Sequence, residues 1–563
     1  MTRRLLALVG ALVTAFALTA CSGLPTSGSV YPGLPAEEVP AAPDFLFRPS
    51  SPQPGMTPQQ IVQGFIDAAT SPVGGWAIAR QFLAPDLAST WNPEARVTVA
   101  EDRVYTSLSE DEIVLTVTPS ADVDEAGAYS VADGGASTTL PFRLAQQEDG
   151  EWRITEARDG IVLDRDFFVA VFDSYRVMFF DPDWQYLVPD VRWFPARTNS
   201  ATRVARALID GARSPWLAAS VFTAVPEDVA LATQSVTVDS DLEATVELTE
   251  SARGLDSTTL DRMQAQLEAS LASAGVQSVQ MAVEGTPLEA TAVPTRSTAV
   301  DSRPLVVTDA DFGFLSGDEI RPIPGLSTTI MENLGAAPVA IQMSAERDAA
   351  AVRIASGAVA RARADGTVLE VDNRPALIDP SIDPRGYIWS VPRDAPTAVL
   401  VAGADGAPAI PVGGAWVDAS QIQSMQISRD GTRVAALITV GGQHWAVVAG
   451  VVRDENGVPR SLGEAHRLAR LSGPAIAVGW LDDETIGVVA DEGGSTIVLD
   501  QLVGGEGTRT EGPDSVTTLV GANQVSAVRL RSADGVLFEK RGSNWSQAAA
   551  GIAVLASQQG APR

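Results

Sequence analysis

MQISRDGTRVAAL, residues 425–437, decides how the larger half of this 563-residue chain is read. An apolar strand runs into a turn carrying Asp430-Gly431, and a second apolar strand leaves it. The unit reads as two β-strands joined by a tight turn. Similar units recur on both sides: PSIDPRGYIWSV (380–391), VGWLDDETIGVV (478–489) and VRLRSADGVLFEK (528–540). Their spacing is irregular, near 45 residues, which suits four-stranded propeller blades. From about Leu305 to the end, at 305–563, the pattern predicts an all-β propeller of five or six blades. Two stacked β-sandwiches are the alternative.

Upstream the pattern changes. Thr57-Pro58 followed by Gln60 has the form of an N-cap, a proline at the first helical position and a capping-box partner. Ile61, Val62, Phe65 and Ile66 then share one helical face. A second short helix is predicted over Trp76 to Leu83. IVLTVT (113–118), TTLPFRL (138–144) and EWRIT (151–155) read as antiparallel strands, with Asp149-Gly150 as a hairpin turn. Helices followed by a curved sheet make 56–185 an α+β domain resembling the nuclear-transport-factor-like cone.

Between these regions, 186–300 reads as a compact α/β unit. Val204, Ala207 and Leu208 mark one helical face, and SVTVDS with EATVELT form a strand pair around Ser240-Asp241. A helix from about Ser257 carries Leu260, Met263, Leu267 and Leu271 on one stripe and stops at Gly275. SVQMAVEG closes the unit as a strand. The fold class is therefore multidomain: an α+β cone, an α/β module and an all-β propeller.

The N-terminus carries a different signal. Arg3 and Arg4 precede an apolar run from Leu5 to Leu18, too short for the ~20 residues that cross a bilayer. Leu18-Thr19-Ala20-Cys21 ends it, and Cys21 is the only cysteine in the chain. The segment resembles the lipobox of bacterial lipoproteins. That resemblance implies a signal peptide at 1–20, cleavage between Ala20 and Cys21, and a mature Cys21 carrying S-diacylglycerol and an N-palmitoyl group. The expected location is the cell membrane, lipid-anchored on its extracytoplasmic face. One acyl chain binds a membrane only marginally, so two or more are what a stable anchor needs. Residues 25–54 hold eight prolines and no helical or strand period. The segment 21–55 therefore reads as a tether, with a reach of roughly 90 Å if wholly extended as polyproline.

The chain is acidic, with a net charge of −30. This argues against nucleic acid and against electrostatic adsorption to anionic lipid as partners. Lys540 is the only lysine. No residue set declares chemistry. His444 and His466 are the only histidines and lie too far from other ligands for a zinc site. The loop DVDEAGAYSVAD (122–133) places Asp122, Asp124, Gly127 and Asp133 at calcium-loop positions 1, 3, 6 and 12. Ala126 stands at position 5, however, and the flanks are strands, so the segment reads as a solvated hairpin loop. Asp164 with Asp166, Asp181 with Asp183 and Asp482 with Asp483 read as turn or cap residues. There is no Walker loop and no G-x-S-x-G elbow. The expectation is no catalytic residue, no metal, no cofactor and no enzyme.

One stretch adds a resemblance at the level of the whole chain. FFDPDWQYLVPDVRWFPAR (179–197) resembles the junction of LpqB-type lipoproteins of actinobacteria. RVARALIDGARSPW and VFTAVPEDVAL resemble the start of a GerMN domain, named from spore-germination proteins. The chain departs from that family at Val191, where a proline is usual, and at Arg158-Asp159, where paired prolines are usual. The resemblance implies a C-terminal propeller and an association with the MtrAB two-component system. The implied partner is the extracellular domain of an MtrB-like sensor kinase, which the protein would bind and modulate. The alternatives are an envelope scaffold binding glycan or wall polymer, and a propeller hydrolase.

Overall fold

The Thr57 hydroxyl accepts from Gln60 N, and the Gln60 side chain accepts from Thr57 N at 2.9 Å. This reciprocal cap starts the helix Pro58–Ala68, which buries Ile61, Val62, Phe65 and Ile66. In the computed structural model, residues 49–560 and 562 are described, apart from 133, 197, 198, 212, 404 and 405. Cys21, the signal peptide and the tether up to residue 48 lie outside the described residues. Arg48–Arg563 is one compact unit.

The helix Pro58–Ala68 and the short helices Val73–Arg80 and Pro85–Thr90 pack on a six-stranded sheet. The second helix thus starts three residues before the predicted Trp76 and ends at Arg80. Across the sheet the strands run Trp152–Glu156, Thr138–Gln146, Glu112–Asp124, Arg96–Ser107 and Ile161–Asp164, with Tyr129–Val131 beside Glu112–Asp124. Irregular register between Val99 and Asp102 bends the two longest strands. The predicted turn is present, with Gly150 at φ +80° and Gln146 paired to Trp152.

A hairpin follows, Phe172–Phe180 paired with Leu187–Pro195 over its whole length. Beyond it, helices Ser200–Ile209 and Ser257–Ala272 flank a sheet ordered Thr286–Pro287, Ser278–Val283, Glu243–Glu247 and Thr237–Val238. Glu243–Glu247 and Ser278–Val283 are parallel, joined by the longer helix as a crossover. Asp256 caps that helix by accepting from Thr259 N at 3.0 Å. Leu260, Met263, Leu267 and Leu271 are all buried.

The C-terminal part is a six-bladed propeller. Five blades follow in sequence, with inner strands Pro338–Met343, Ser381–Ile382, Gln421–Ile427, Ala475–Trp480 and Val516–Val520. In the blade of Gln421–Ile427, the long strand Gln443–Arg453 also pairs a fifth strand, His466–Leu471. The remaining blade is made from both ends of the domain: Val554–Gln558 pairs with Leu305–Val307, which continues outward to Phe312–Ser316 and Glu319–Pro322. The last strand also meets Pro338–Met343 edge to edge, at Gln342 and Met343, and so closes the ring. Radial repetition of this kind leaves only short, protected sheet edges.

The turns that made the repeat visible are built by aspartate. Asp430 accepts from Thr432 N at 2.8 Å, and Asp383 accepts from Arg385 N at 3.0 Å and Tyr387 N at 2.9 Å. Asp482 accepts from Thr485 N at 2.7 Å. All three lie between first and second strands of their blades. The fourth unit does not. Its turn, with Asp534 and Gly535, joins Arg529–Ser532 to Leu537–Arg541, the second and third strands. Strand, Asp-Gly turn, strand describes any tight hairpin in a blade, so that pattern alone cannot locate one within it.

Candidate functional site

The hairpin 172–195 places the most informative side chains. Phe172, Val191 and Trp193 belong to the core of the first domain. Tyr175, Val177, Phe179 and Phe180 belong to a second core shared by the α/β unit and the propeller. Gln266, fully buried, donates to Met178 O at 2.8 Å and accepts from Ala224 N at 2.6 Å, fixing the hairpin to the helix Ser257–Ala272. On the propeller side, Arg176 pairs with Glu484, and Arg385 pairs with Asp183. Asp181 holds the hairpin turn by accepting from Gln185 N at 2.7 Å and Tyr186 N at 2.6 Å. Burial raises its carboxyl above the usual range, against the lowering effect of those hydrogen bonds.

A cleft of about 510 Å3 opens where the three domains meet. Asp190 sits in its wall, buried, accepting from Arg192 at 2.8 Å and from both Ser214 N and Ser214 Oγ at 2.7 Å. His466 stacks on Trp216, with ring centroids 5.7 Å apart and planes 11° off parallel. Burial pushes the His466 imidazolium down, and the Asp190 charge partly opposes this. The main chain needs Gly450 beside this stack, because a Cβ there would lie 2.5 Å from Ser220 Oγ and 2.8 Å from Trp216 O. Asp190, Arg192, Ser214, Trp216 and His466 at this cleft hold elements of different domains together. Chemically it is a joint.

The loop 122–133 belongs to the same joint. Asp122 accepts from Arg96 and from Thr98 Oγ1, and Asp124 accepts from Ala128 N at 2.8 Å. Asp133 lies outside the described residues. Gly127, at φ +81°, packs against Phe194, and its carbonyl oxygen accepts from Trp193 N at 2.8 Å. The loop read as solvated is instead a docking surface. Nothing within its own sequence announces this, because its partner lies 66 residues further on.

The other carboxylate pairs are structural. Asp164 pairs with Arg103, Asp483 accepts from Thr298 Oγ1, and Asp482 caps its turn. Among the described residues, no group of three or more His, Cys, Asp or Glu is placed to hold a metal ion. His444 lies on Gln443–Arg453 opposite Leu471, and His466 lies on the paired neighbouring strand opposite Val448, so the two histidines are offset along the ladder and do not face each other.

A second opening, about 320 Å3, enters the propeller's central funnel from the start of the inner strands, away from the Asp383, Asp430 and Asp482 turns. Gln423, Ser424, Thr517 and Thr518 line it, with Arg393 exposed at its mouth. Asp379 pairs with Arg353 at 2.6 Å and is the one carboxylate among the described residues lining it. A glycosidase uses two carboxylates facing each other across the substrate, and the described lining of this opening holds one.

Three family models match. "Lipoprotein LpqB, N-terminal domain" covers residues 51–169, "Sporulation and spore germination" covers 176–289, and "Lipoprotein LpqB beta-propeller domain" covers 311–555. A lipoprotein LpqB of Rhodococcus jostii is 29% identical over 36% of this chain and 34% of its own length. A lipoprotein LpqB of Mycolicibacterium smegmatis is 26% identical over 86% of each chain. The chain thus spans about a third of the first of these relatives and most of the second. Among solved structures, the propeller domain of Myceliophteria thermophila Cps50 (Swd1) covers 37% of this chain and 70% of its own, at 10% identity and a TM-score of 0.25. No helix among the described residues is long and apolar enough to cross a membrane.

Proposed function

From the premise that the chain is, by its three domains, an LpqB-type lipoprotein, we propose that it is an extracytoplasmic binding protein. It is held to the cell membrane by a diacylglyceryl and palmitoyl Cys21, and it binds and modulates the extracellular domain of an MtrB-like sensor kinase. The observation that carries this reading is the hairpin 172–195, which joins all three domains into one body through buried cores and cross-domain bonds. Such a body suits presentation of fixed surfaces. A propeller offers rigid rings of loops to a partner while protecting its strand edges. A kinase domain on the same membrane meets it at high effective concentration, so modest affinity suffices. The acidic chain gains nothing from an anionic bilayer, which supports the lipid as the means of attachment.

The test is direct binding between the Arg48–Arg563 body and the purified sensor domain of the MtrB-like kinase, paired with kinase output in cells lacking the protein. Saturable binding and altered output are expected. Unchanged output when the whole protein is removed would overturn the reading, leaving the envelope scaffold as the better account.

A further inference from the structure

A third cavity belongs to neither the joint nor the funnel. It lies between the helix Pro58–Ala68 and the sheet of the first domain and encloses about 340 Å3, within the range of small-molecule sites. Phe65, Ile66, Val117, Phe142, Ile161 and Val162 make its walls, all buried in the domain core. Those walls are stiff. Phe65 meets Phe142 edge-on with centroids 6.1 Å apart, and on its other side Trp91 at 5.1 Å.

The rim is polar and its charges are not equivalent. Asp122 is neutralised by Arg96 at 2.7 Å and accepts from Thr98 Oγ1 at 2.8 Å. Asp159 accepts from Asn92 N at 2.8 Å. Arg158 is exposed and has no hydrogen-bond or ion-pair partner among the described residues. The rim therefore presents one uncommitted guanidinium above an apolar chamber, with Asp159 beside it.

We propose that this cavity is a binding site for a small apolar monocarboxylate, its hydrocarbon body among Phe65, Phe142 and Val162 and its carboxylate on Arg158. A guanidinium is the side chain best shaped for a carboxylate, through two parallel N–H···O bonds. The neighbouring Asp159 sets the charge limit. One negative charge is neutralised by Arg158, whereas a second would face Asp159 without compensation. The site therefore selects a monoanion over a dianion and over a neutral amphiphile of the same length.

Isothermal titration of the Arg48–Arg563 body at pH 8 tests this with three probes: decanoate, decyl phosphate and decanol. Decyl phosphate is essentially a dianion at that pH. Saturable decanoate binding at one site is expected, with decyl phosphate and decanol each weaker. Arg158→Gln removes an exposed, unpartnered group and should weaken decanoate by about tenfold while leaving decanol unchanged. Leu140→Trp, at the half-buried part of the wall, should block all three probes, with an unchanged melting temperature showing that the fold is intact. No saturable heat with decanoate overturns the proposal, as does equal binding of decanoate and decanol. Decanoate binding that Arg158→Gln leaves unaltered overturns it as well.

Discussion

The indole N–H of Trp193 donates to the Gly504 carbonyl oxygen at 2.8 Å, while the same ring packs against Phe168 at 4.9 Å and Tyr129 at 6.0 Å. One side chain thus fills the core of the first domain and is bonded to a loop of the propeller. Replacing it separates the two roles. Trp193→Phe keeps most of the aromatic packing and loses the hydrogen bond, at an expected cost of about 1–2 kcal/mol. Trp193→Ala also opens a cavity, at an expected cost of about 3–5 kcal/mol. Urea unfolding followed separately in the first domain and the propeller should show one transition for the wild type. Two resolved transitions are expected for Trp193→Ala. A single unchanged midpoint for both variants would show that Trp193 does not couple the domains.

Asp190 and Arg192 are each 2% exposed at the side chain and paired at 2.8 Å. Breaking such a pair leaves a buried charge uncompensated, whereas removing both partners does not. Asp190→Asn should cost about 3–5 kcal/mol by thermal or denaturant unfolding. The double change Asp190→Leu with Arg192→Met should cost clearly less than Asp190→Asn alone. Equal losses would mean that the pair contributes through packing only.

What was legible in the sequence was local. The Thr57–Gln60 capping box and the turn at Asp430-Gly431 are set by residues two or three apart, and both follow from the sequence. The buried helical stripe at Leu260, Met263, Leu267 and Leu271 follows from periodicity alone. Contacts set by distant segments were not legible. The ring-closing strand Val554–Gln558 pairs with Leu305–Val307, about 250 residues away, and the number of blades depends on that pairing. His466 drew notice only as a poor metal ligand. Its partner Trp216 comes from another domain, and no spacing rule brings the two rings together. The cavity rim was hidden for the same reason, since Arg158, Arg96 and Asp122 come from three separate segments.

His466 makes stability depend on pH in a defined window. Burial holds its folded-state pKa below the ordinary imidazole value of about 6.5, with Asp190 opposing only in part. Above pH 6.5 the ring is neutral in both states and carries no penalty. As the pH falls below 6.5, the unfolded chain takes up a proton before the folded one, so stability decreases until the folded-state pKa is passed. Unfolding free energy should therefore decline as the pH falls below 6.5 and level off once the folded-state pKa has been passed. His466→Phe, which preserves stacking on Trp216, should flatten that part of the profile. An identical slope in both proteins would assign the acid sensitivity elsewhere.

The proposed attachment depends on one atom, the Cys21 sulfur. Because Cys21 is the chain's only thiol, a thioether lipid has no alternative acceptor, and Cys21→Ala should abolish both lipid transfer and cleavage after Ala20. Metabolic labelling with a fatty-acid analogue reads the first outcome, and the mass of the N-terminus reads the second. Label retained by Cys21→Ala would sink the lipobox reading. Loss of label has a further consequence for signalling. A diacylglyceryl cysteine buries two chains at about 0.8 kcal/mol per methylene, so its removal should move the protein from the membrane fraction to the soluble fraction. On the proposed function, the effective concentration at the kinase then falls, and output should change as it does when the protein is deleted. Replacing residues 1–21 with a transmembrane helix should restore output, since only proximity is required of the anchor. If that helix restores membrane location and output stays at the deletion level, the lipid itself takes part in recognition.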